Sequence, residues 1–370
     1  MPDLRSSGSS QPIRAILIYQ TKFLGDLVLS SLLADNLRLE YPDARIVFVA
    51  DRGYKKFLID HAIAEDVIEL GRKRMRGRSR ERAAEFAAAL RQMRSARLDM
   101  TIDLTDSKTS RFITRLVNAP IRVGYSTPER PFRWWERQPA NVLAKPYGFG
   151  GQHFLYRYLS ALEALGIELR KPAPLIGSLD RARETVKALF DEAGGVQPGT
   201  YVVVHAGAGF IGRQWPPDRF ACVIDGLARD HHVDVVLVGG PDERELAETI
   251  QAQTAARIVS LVGKLSYDET LAAVGMARIF FGSESGPMHL AAASGVPVVG
   301  LFGLTDPVKW GPVGIPYIAL RPSHPCQCIN QALCKSRDPS RAYCVWRLSV
   351  ETVSAAVDRM LSMSPPRIRT

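Results

Sequence analysis

The chain has 370 residues, 46% of them hydrophobic, 23% charged and 8% aromatic. This is ordinary globular composition with apolar side chains enough for more than one core, and it excludes a wholly disordered chain. The formal net charge of +10 points to an anionic partner: nucleic acid, an acidic membrane face or a phosphorylated substrate.

In chain order, Met1 to Pro12 is polar and Ser-rich, without the apolar stretch of an export signal, and reads as a loose tail over 1–12. No apolar run approaches the ~20 residues that span a bilayer. The expected location is therefore cytoplasmic, at most peripheral on the inner face of the cytoplasmic membrane. Ala15–Ile–Leu–Ile–Tyr19 predicts a buried strand, followed by a short loop ending Gly25–Asp26 and a helix through Leu27, Leu32 and Leu33. Strands follow at 46–49, 67–70, 100–104 and 121–123, with a helix over 80–93. This alternation predicts a parallel sheet with helices on both faces. From Ser126 to Gly151 the regular pattern stops in favour of Pro, Arg, Gly and aromatic residues. A helix over 153–165 closes this half, and Gly166 to Leu179, with Pro172 and Pro174, reads as the linker.

The second half repeats the logic. Strands are expected at 201–205, 233–238, 257–260, 279–281 and 296–302, with helices at 218–229, 242–253, 266–275, 287–293 and 349–361. The predicted fold class is α/β, two doubly wound Rossmann-like halves facing across a cleft, with ligands at the carboxyl ends of the strands. The expected boundaries are 13–170 for the first domain, 171–348 for the second, and 349–370 for a crossing helix packed back toward the first.

Three segments carry candidate chemistry. Lys22–Phe–Leu–Gly–Asp26 lies just past the first strand, where such folds place ligands. Asp26 is either a helix N-cap or a general base on a rigid mount, and a helix start favours its ionised form. His205–Ala–Gly–Ala–Gly209 leads to Arg213–Gln–Trp–Pro216, a Gly-rich turn beside a guanidinium. Gly207, Ala208 and Gly209 let backbone N–H groups approach phosphate oxygens, and the Arg213 fork suits a diphosphate. Gly282–Ser–Glu–Ser–Gly–Pro–Met–His–Leu290 places Ser285 and Gly286 at a helix start, an anion site. An acid does not belong on a diphosphate, so Glu284 is assigned to donor-sugar hydroxyls. His289 is placed with it, although a histidine between Met288 and Leu290 more often serves the core. Gly239, Gly240, Glu243 and Lys264 sit in strand-end loops assigned to the nucleoside, with plain βα turns as the other reading.

Ser283 to Pro307, with 15–29, 203–220 and 238–243, resembles glycosyltransferase family nine, the lipopolysaccharide heptosyltransferases. The resemblance implies a GT-B fold, an ADP-heptose donor, a lipid-linked inner-core acceptor, and inversion at the anomeric carbon without a required metal. It places the family's catalytic aspartate on Asp26. Its phosphate-binding lysine falls on Arg213, its aspartate before Ser–Gly on Glu284, and its diphosphate turn on Ser285 and Gly286. The other functions weighed are a nucleotide-sugar epimerase and a non-catalytic nucleotide-sugar-binding protein.

The basic run from Gly71 to Arg82 is either a solvated loop and helix start or a contact for anionic lipid or acceptor phosphates. Lys22, Arg130, Arg133, Trp134 and Trp135 suit an acceptor or membrane interface; no RNA-binding motif accompanies them, so nucleic acid is not expected as a partner. Cys222 stands alone and is read as core. Cys326, Cys328, Cys334 and Cys344 cluster as C-x-C-x₅-C-x₉-C, either a structural zinc site or free thiols, the first spacing being tighter than usual zinc patterns.

Overall fold

A computed structural model describes residues 12–71, 79–125, 140–145, 152–323 and 344–366. The chain divides into two compact units, Met1–Pro174 and Leu175–Thr370.

The first unit is built on strands β1 (Ala15–Tyr19), β2 (Arg45–Ala50), β3 (Asp66–Glu69), β4 (Met100–Asp103), β5 (Ile121–Tyr125) and β6 (Val142–Ala144). They form one parallel sheet in the order β3-β2-β1-β4-β5-β6. Helices α1 (Leu24–Glu40), α2 (Lys55–Asp60), α3 (Ser79–Ser95), α4 (Lys108–Val117) and α5 (Leu155–Ala164) connect them. The continuous apolar run of β1 is explained by burial of all five residues, as expected of an inner strand covered on both faces. Leu17 and Tyr19 join Val47, Val49, Met93 and Ile113 in one cluster, while Ile16 and Ile18 are buried on the other face.

The second unit repeats the plan with β7 (Val202–His205), β8 (Val235–Leu237), β9 (Ile258–Ser260), β10 (Ile279–Ser283), β11 (Val298–Leu301) and β12 (Tyr317–Leu320). Their order, β12-β11-β10-β7-β8-β9, is the same arrangement numbered from the other edge. The helices are α6 (Asp180–Glu192), α7 (Pro217–His231), α8 (Arg244–Ala252), α9 (Tyr267–Gly275), α10 (Gly286–Ala293), α11 (Pro307–Trp310) and α12 (Val350–Met363). Val202 and Val204 pack with Phe220, Phe281, Val353 and Val357. Val203, between them in sequence, packs on the opposite face with Val186, Phe190 and Ala272. Each such side chain, fully buried, contributes roughly 1.5–3 kcal/mol by leaving water. Within the second unit, α12 packs on α7 and on β10 to β12.

The structure adds elements not expected from the sequence: α2, α4, α6, α11, β6 and β12. β6 lies inside the stretch from Ser126 to Gly151 where no regular element was expected; it pairs in parallel with β5. Cys222 is exposed rather than core, because the inward face of α7 is set by Phe220, Ala221, Val223, Ile224 and Leu227. Among the described residues no helix is long and apolar enough to cross a membrane.

Candidate functional site

In a sheet ordered 3-2-1-4-5-6, adjacent loops leave in opposite directions between strands 1 and 4, and the crevice there takes ligands. Each unit has its polar residues at that point.

In the first unit, β1 ends at Tyr19 and α1 begins at Leu24, so Asp26 is the third residue of the helix and not its N-cap. Its carboxylate reaches back to accept the Phe23 N–H at 3.3 Å, and the helix start favours its charge. The other oxygen accepts from the hydroxyl of Tyr158, on α5, at 3.0 Å. Asp26 is only 6% exposed, and Tyr158 is fully buried. Tyr158 accepts in turn from Gln20 Nε2 at 2.9 Å. Lys22 Nζ lies 5.1 Å from the centre of the Phe154 ring. Burial lowers the Lys22 ammonium from its usual range, a shift that the nearby Asp26 charge opposes.

β4 supplies the facing loop. Asp103 accepts the N–H groups of Thr105 and Asp106 at 3.1 and 2.9 Å, and burial pushes its carboxyl up to about 6. Asp106, held at φ +50°, pairs with Arg111 at 2.7 Å and with Arg157 at 3.2 Å. Arg157 lies over the Tyr125 ring, 4.6 Å from its centroid. Tyr158, Gln20, Asp103, Asp106 and Arg157 are members of this site that sequence reasoning missed. Their contacts join residues up to 138 positions apart, and no local pattern announces them.

In the second unit, β7 ends in His205 and opens the Gly207–Ala208–Gly209 turn, and β10 ends in Ser283 beside it. Gly282 is required here, since a Cβ would collide with the backbone of His205. Ser283 Oγ donates to Ala206 O at 3.0 Å, and Ser285 Oγ lies 2.9 Å from His205 Nδ1, stitching the two loops together. Ser285 is the N-cap of α10 and Gly286 its first residue. Glu243, at the end of a 3₁₀ turn, places its carboxylate 3.1 Å from His205 Nε2 and accepts the Gly240 N–H at 2.9 Å. Burial pushes that carboxyl up, but His205 and the Gly240 N–H outweigh it and hold it below its usual value. A Cβ on Gly207 or Gly239 would strike this same carboxylate, so both turns lie open against Glu243.

Arg213 Nη1 pairs with Glu284 at 2.9 Å, and Thr305 Oγ1 donates to the same carboxylate oxygen at 2.9 Å. The segment carrying Arg213 is anchored by the next residues: buried Trp215 donates its indole N–H to Leu348 O at 3.1 Å, and Trp346 donates to Gln214 O at 2.9 Å. Gly207, Ala208, Gly209, Arg213, Gly239, Gly240, Glu243, Glu284, Ser285 and Gly286 thus lie on loops at the carboxyl ends of β7, β8 and β10. Lys264 is exposed on the turn after β9, next to Gly263, whose N–H donates to Gly239 O at 2.9 Å, and beside a cavity of about 380 Å³ that Arg244 also lines. His289 is 5% exposed on α10, between the buried side chains of Met288 and Leu290.

Arg130, Arg133, Trp134 and Trp135 lie outside the described residues, as do Cys326, Cys328 and Cys334. Cys344 is buried in the 3₁₀ turn Cys344–Arg347. No group of three or more His, Cys, Asp or Glu residues able to hold a metal ion occurs among the described residues.

Two doubly wound parallel sheets in succession, each with its polar loops at the switch point, define a GT-B fold. The chain belongs to glycosyltransferase family 9 (heptosyltransferase), whose family model matches residues 86–337. It is 28% identical over 295 residues to lipopolysaccharide heptosyltransferase 3 of Escherichia coli, covering 79% of this chain and 84% of that protein. Among solved structures, the family 9 glycosyl transferase of Veillonella parvula DSM 2008 superposes with a TM-score of 0.80 at 22% identity, covering 95% of this chain and 98% of that one. The E. coli heptosyltransferase WaaC with ADP gives a TM-score of 0.71 at 19% identity, covering 94% and 99%. The fold of the chain is therefore that of these enzymes.

Proposed function

We propose that this glycosyltransferase moves a heptose, or a closely related sugar, from an ADP-linked donor to a lipid-linked acceptor of the lipopolysaccharide inner core, with inversion. The reading is supported by family membership together with one structural observation. One unit ends β1 in a buried, hydrogen-bonded carboxylate, and the other unit ends β7 and β10 in glycine turns beside an arginine. The Escherichia coli relative is a lipopolysaccharide heptosyltransferase, and the WaaC structure contains ADP.

The reaction is a displacement. The acceptor hydroxyl oxygen forms a bond to the anomeric carbon while the bond from that carbon to the donor phosphate oxygen breaks. The leaving ADP takes the electron pair, and Asp26 takes the hydroxyl proton. Charge that develops on the diphosphate is met by Arg213 and by N–H groups of the Gly207 turn and of the start of α10 at Gly286. The Glu243 carboxylate, already in the cradle of Gly207 and Gly239, suits the hydroxyls of a ribose. Glu284 aims Arg213 and leaves its own carboxylate near the donor sugar. This assignment relies on the protein's own cations and N–H donors to stabilise the leaving group, and the cysteine cluster has no part in it.

The test is turnover of labelled ADP-heptose with and without a core lipid acceptor. The expected result is acceptor-dependent transfer with inverted anomeric configuration. Conversion of the donor alone, or binding of the donor without turnover when the core acceptor is present, would overturn it.

A further inference from the structure

The hydrogen-bond chain behind Asp26 has a fixed direction. Gln20 Oε1 accepts from the backbone N–H of Lys22 at 3.3 Å and from Thr105 Oγ1 at 3.4 Å. Its amide nitrogen therefore faces Tyr158 and donates to the Tyr158 oxygen at 2.9 Å. With that oxygen already accepting, the Tyr158 proton points at Asp26 Oδ1, 3.0 Å away. Asp26 Oδ2 takes the Phe23 N–H. Both carboxylate oxygens are thereby aimed by groups from two parts of the chain: the loop after β1, and α5, 132 residues away. Tyr158 is fully buried and packs edge-on against Phe154, at 5.5 Å between ring centroids and 89° between planes. Burial raises its hydroxyl well above the usual tyrosine value, with the Asp26 charge adding to the effect, so it stays a donor throughout the working pH range.

We infer that Tyr158 is the positioning residue of the transfer reaction: its hydroxyl, oriented by Gln20, holds the Asp26 carboxylate in the one direction from which it can take the acceptor proton. This rests on the reading of Asp26 as the base. Tyr158 is fully buried, so its part is played through Asp26. The chain Gln20–Tyr158–Asp26 does the work that an orienting second group does for the base of other enzymes, with an amide and a phenol as its members.

The experiment compares Tyr158→Phe with Asp26→Asn, the double variant and Tyr201→Phe in the ADP-heptose transfer assay. Tyr201 is the control: another fully buried tyrosine, whose hydroxyl donates to Ala273 O in the second unit. Tyr158→Phe is expected to lower kcat about tenfold while the donor KM and the melting temperature relative to Tyr201→Phe stay put. It is expected to cost nothing further on top of Asp26→Asn, since residues acting as one unit are not additive. Gln20→Leu is expected to reproduce a smaller part of the loss. Difference infrared spectra against Asp26→Asn, taken without substrate, read the bond itself: the Asp26 carboxylate bands move in Tyr158→Phe. Full kcat in Tyr158→Phe, or unshifted carboxylate bands, would overturn the inference. An active Asp26→Asn would instead overturn the assignment of the base, and the infrared arm would still decide whether Tyr158 orients that carboxylate.

Discussion

Both units place their polar residues in the gap between the two strands where the sheet changes direction, β1 and β4 in the first, β7 and β10 in the second. The architecture is the same and the chemistry is opposite. The first gap is closed with buried side chains: a carboxylate, a phenol and an amide hydrogen-bonded in a row, and two further acids held by loop N–H groups and arginines. The second gap is lined by glycines that pack directly against Glu243, with a histidine held by that glutamate and an arginine held by Glu284. A shared fold therefore says where a site lies and not what it does. A proton acceptor needs rigid aim, and an anion cradle needs backbone that can be approached.

Four changes probe that contrast. Asp26→Asn removes the only feature of the first gap that the displacement uses directly. Transfer is expected to fall about 10³-fold with the fold retained, measured by labelled-donor turnover and circular dichroism. Retention of half the wild-type rate would remove Asp26 from the mechanism. Arg213→Gln strips the second gap of the guanidinium on the leaving diphosphate. A loss of about 10²–10³ in kcat is expected, with Arg213→Lys keeping a large part of the rate because it keeps the charge. Equal losses in both variants would show that the fork geometry, not the charge, is what counts.

Asp103 tests whether the first gap is held under electrostatic cost. Its carboxyl is raised by burial to about 6, above the usual value of 3.8. A carboxyl raised in the folded state favours folding below the unfolded value and loses that contribution as pH rises through the folded one. Wild-type stability is expected to drop by on the order of 2 kcal/mol relative to Asp103→Asn between pH 4 and pH 7, read by denaturant melts at each pH. A constant difference across that window would show that Asp103 does not titrate there. Gly207→Ala is the smallest and most local change. The added methyl group runs into the Glu243 carboxylate, and donor affinity is expected to weaken about tenfold by calorimetry. Gly226→Ala, on α7 with only the tips of two side chains within 4 Å, is the control that should leave affinity unchanged.

Much of the frame was legible in the residues. Continuous apolar runs such as Ala15–Tyr19 mark strands covered on both faces, and the glycine-bearing turns after β7 and β10 mark the second site. The elements that escaped notice are short or polar. α6 is amphipathic but buries only Ala182, Val186 and Phe190, and β12 is a partly exposed edge with no fully buried residue. The sequence also misdirected at Cys222, where the helical phase turns the thiol outward.

Local order of residues was enough to assign the sheet type, the strand ends that carry loops, and the presence of Asp26, Arg213 and Glu284 at three of them. Those features depend on neighbours a few positions apart, through the two-residue and 3.6-residue periods of the backbone. Only the tertiary structure decided what those side chains hold. Tyr158 meets Asp26 across 132 residues, Glu243 meets His205 across 38, and Arg213 meets Glu284 because β7 and β10 are adjacent in the sheet although three α-helices and two strands separate them in the chain. Such contacts are fixed by strand order and helix packing, which no short stretch of sequence contains.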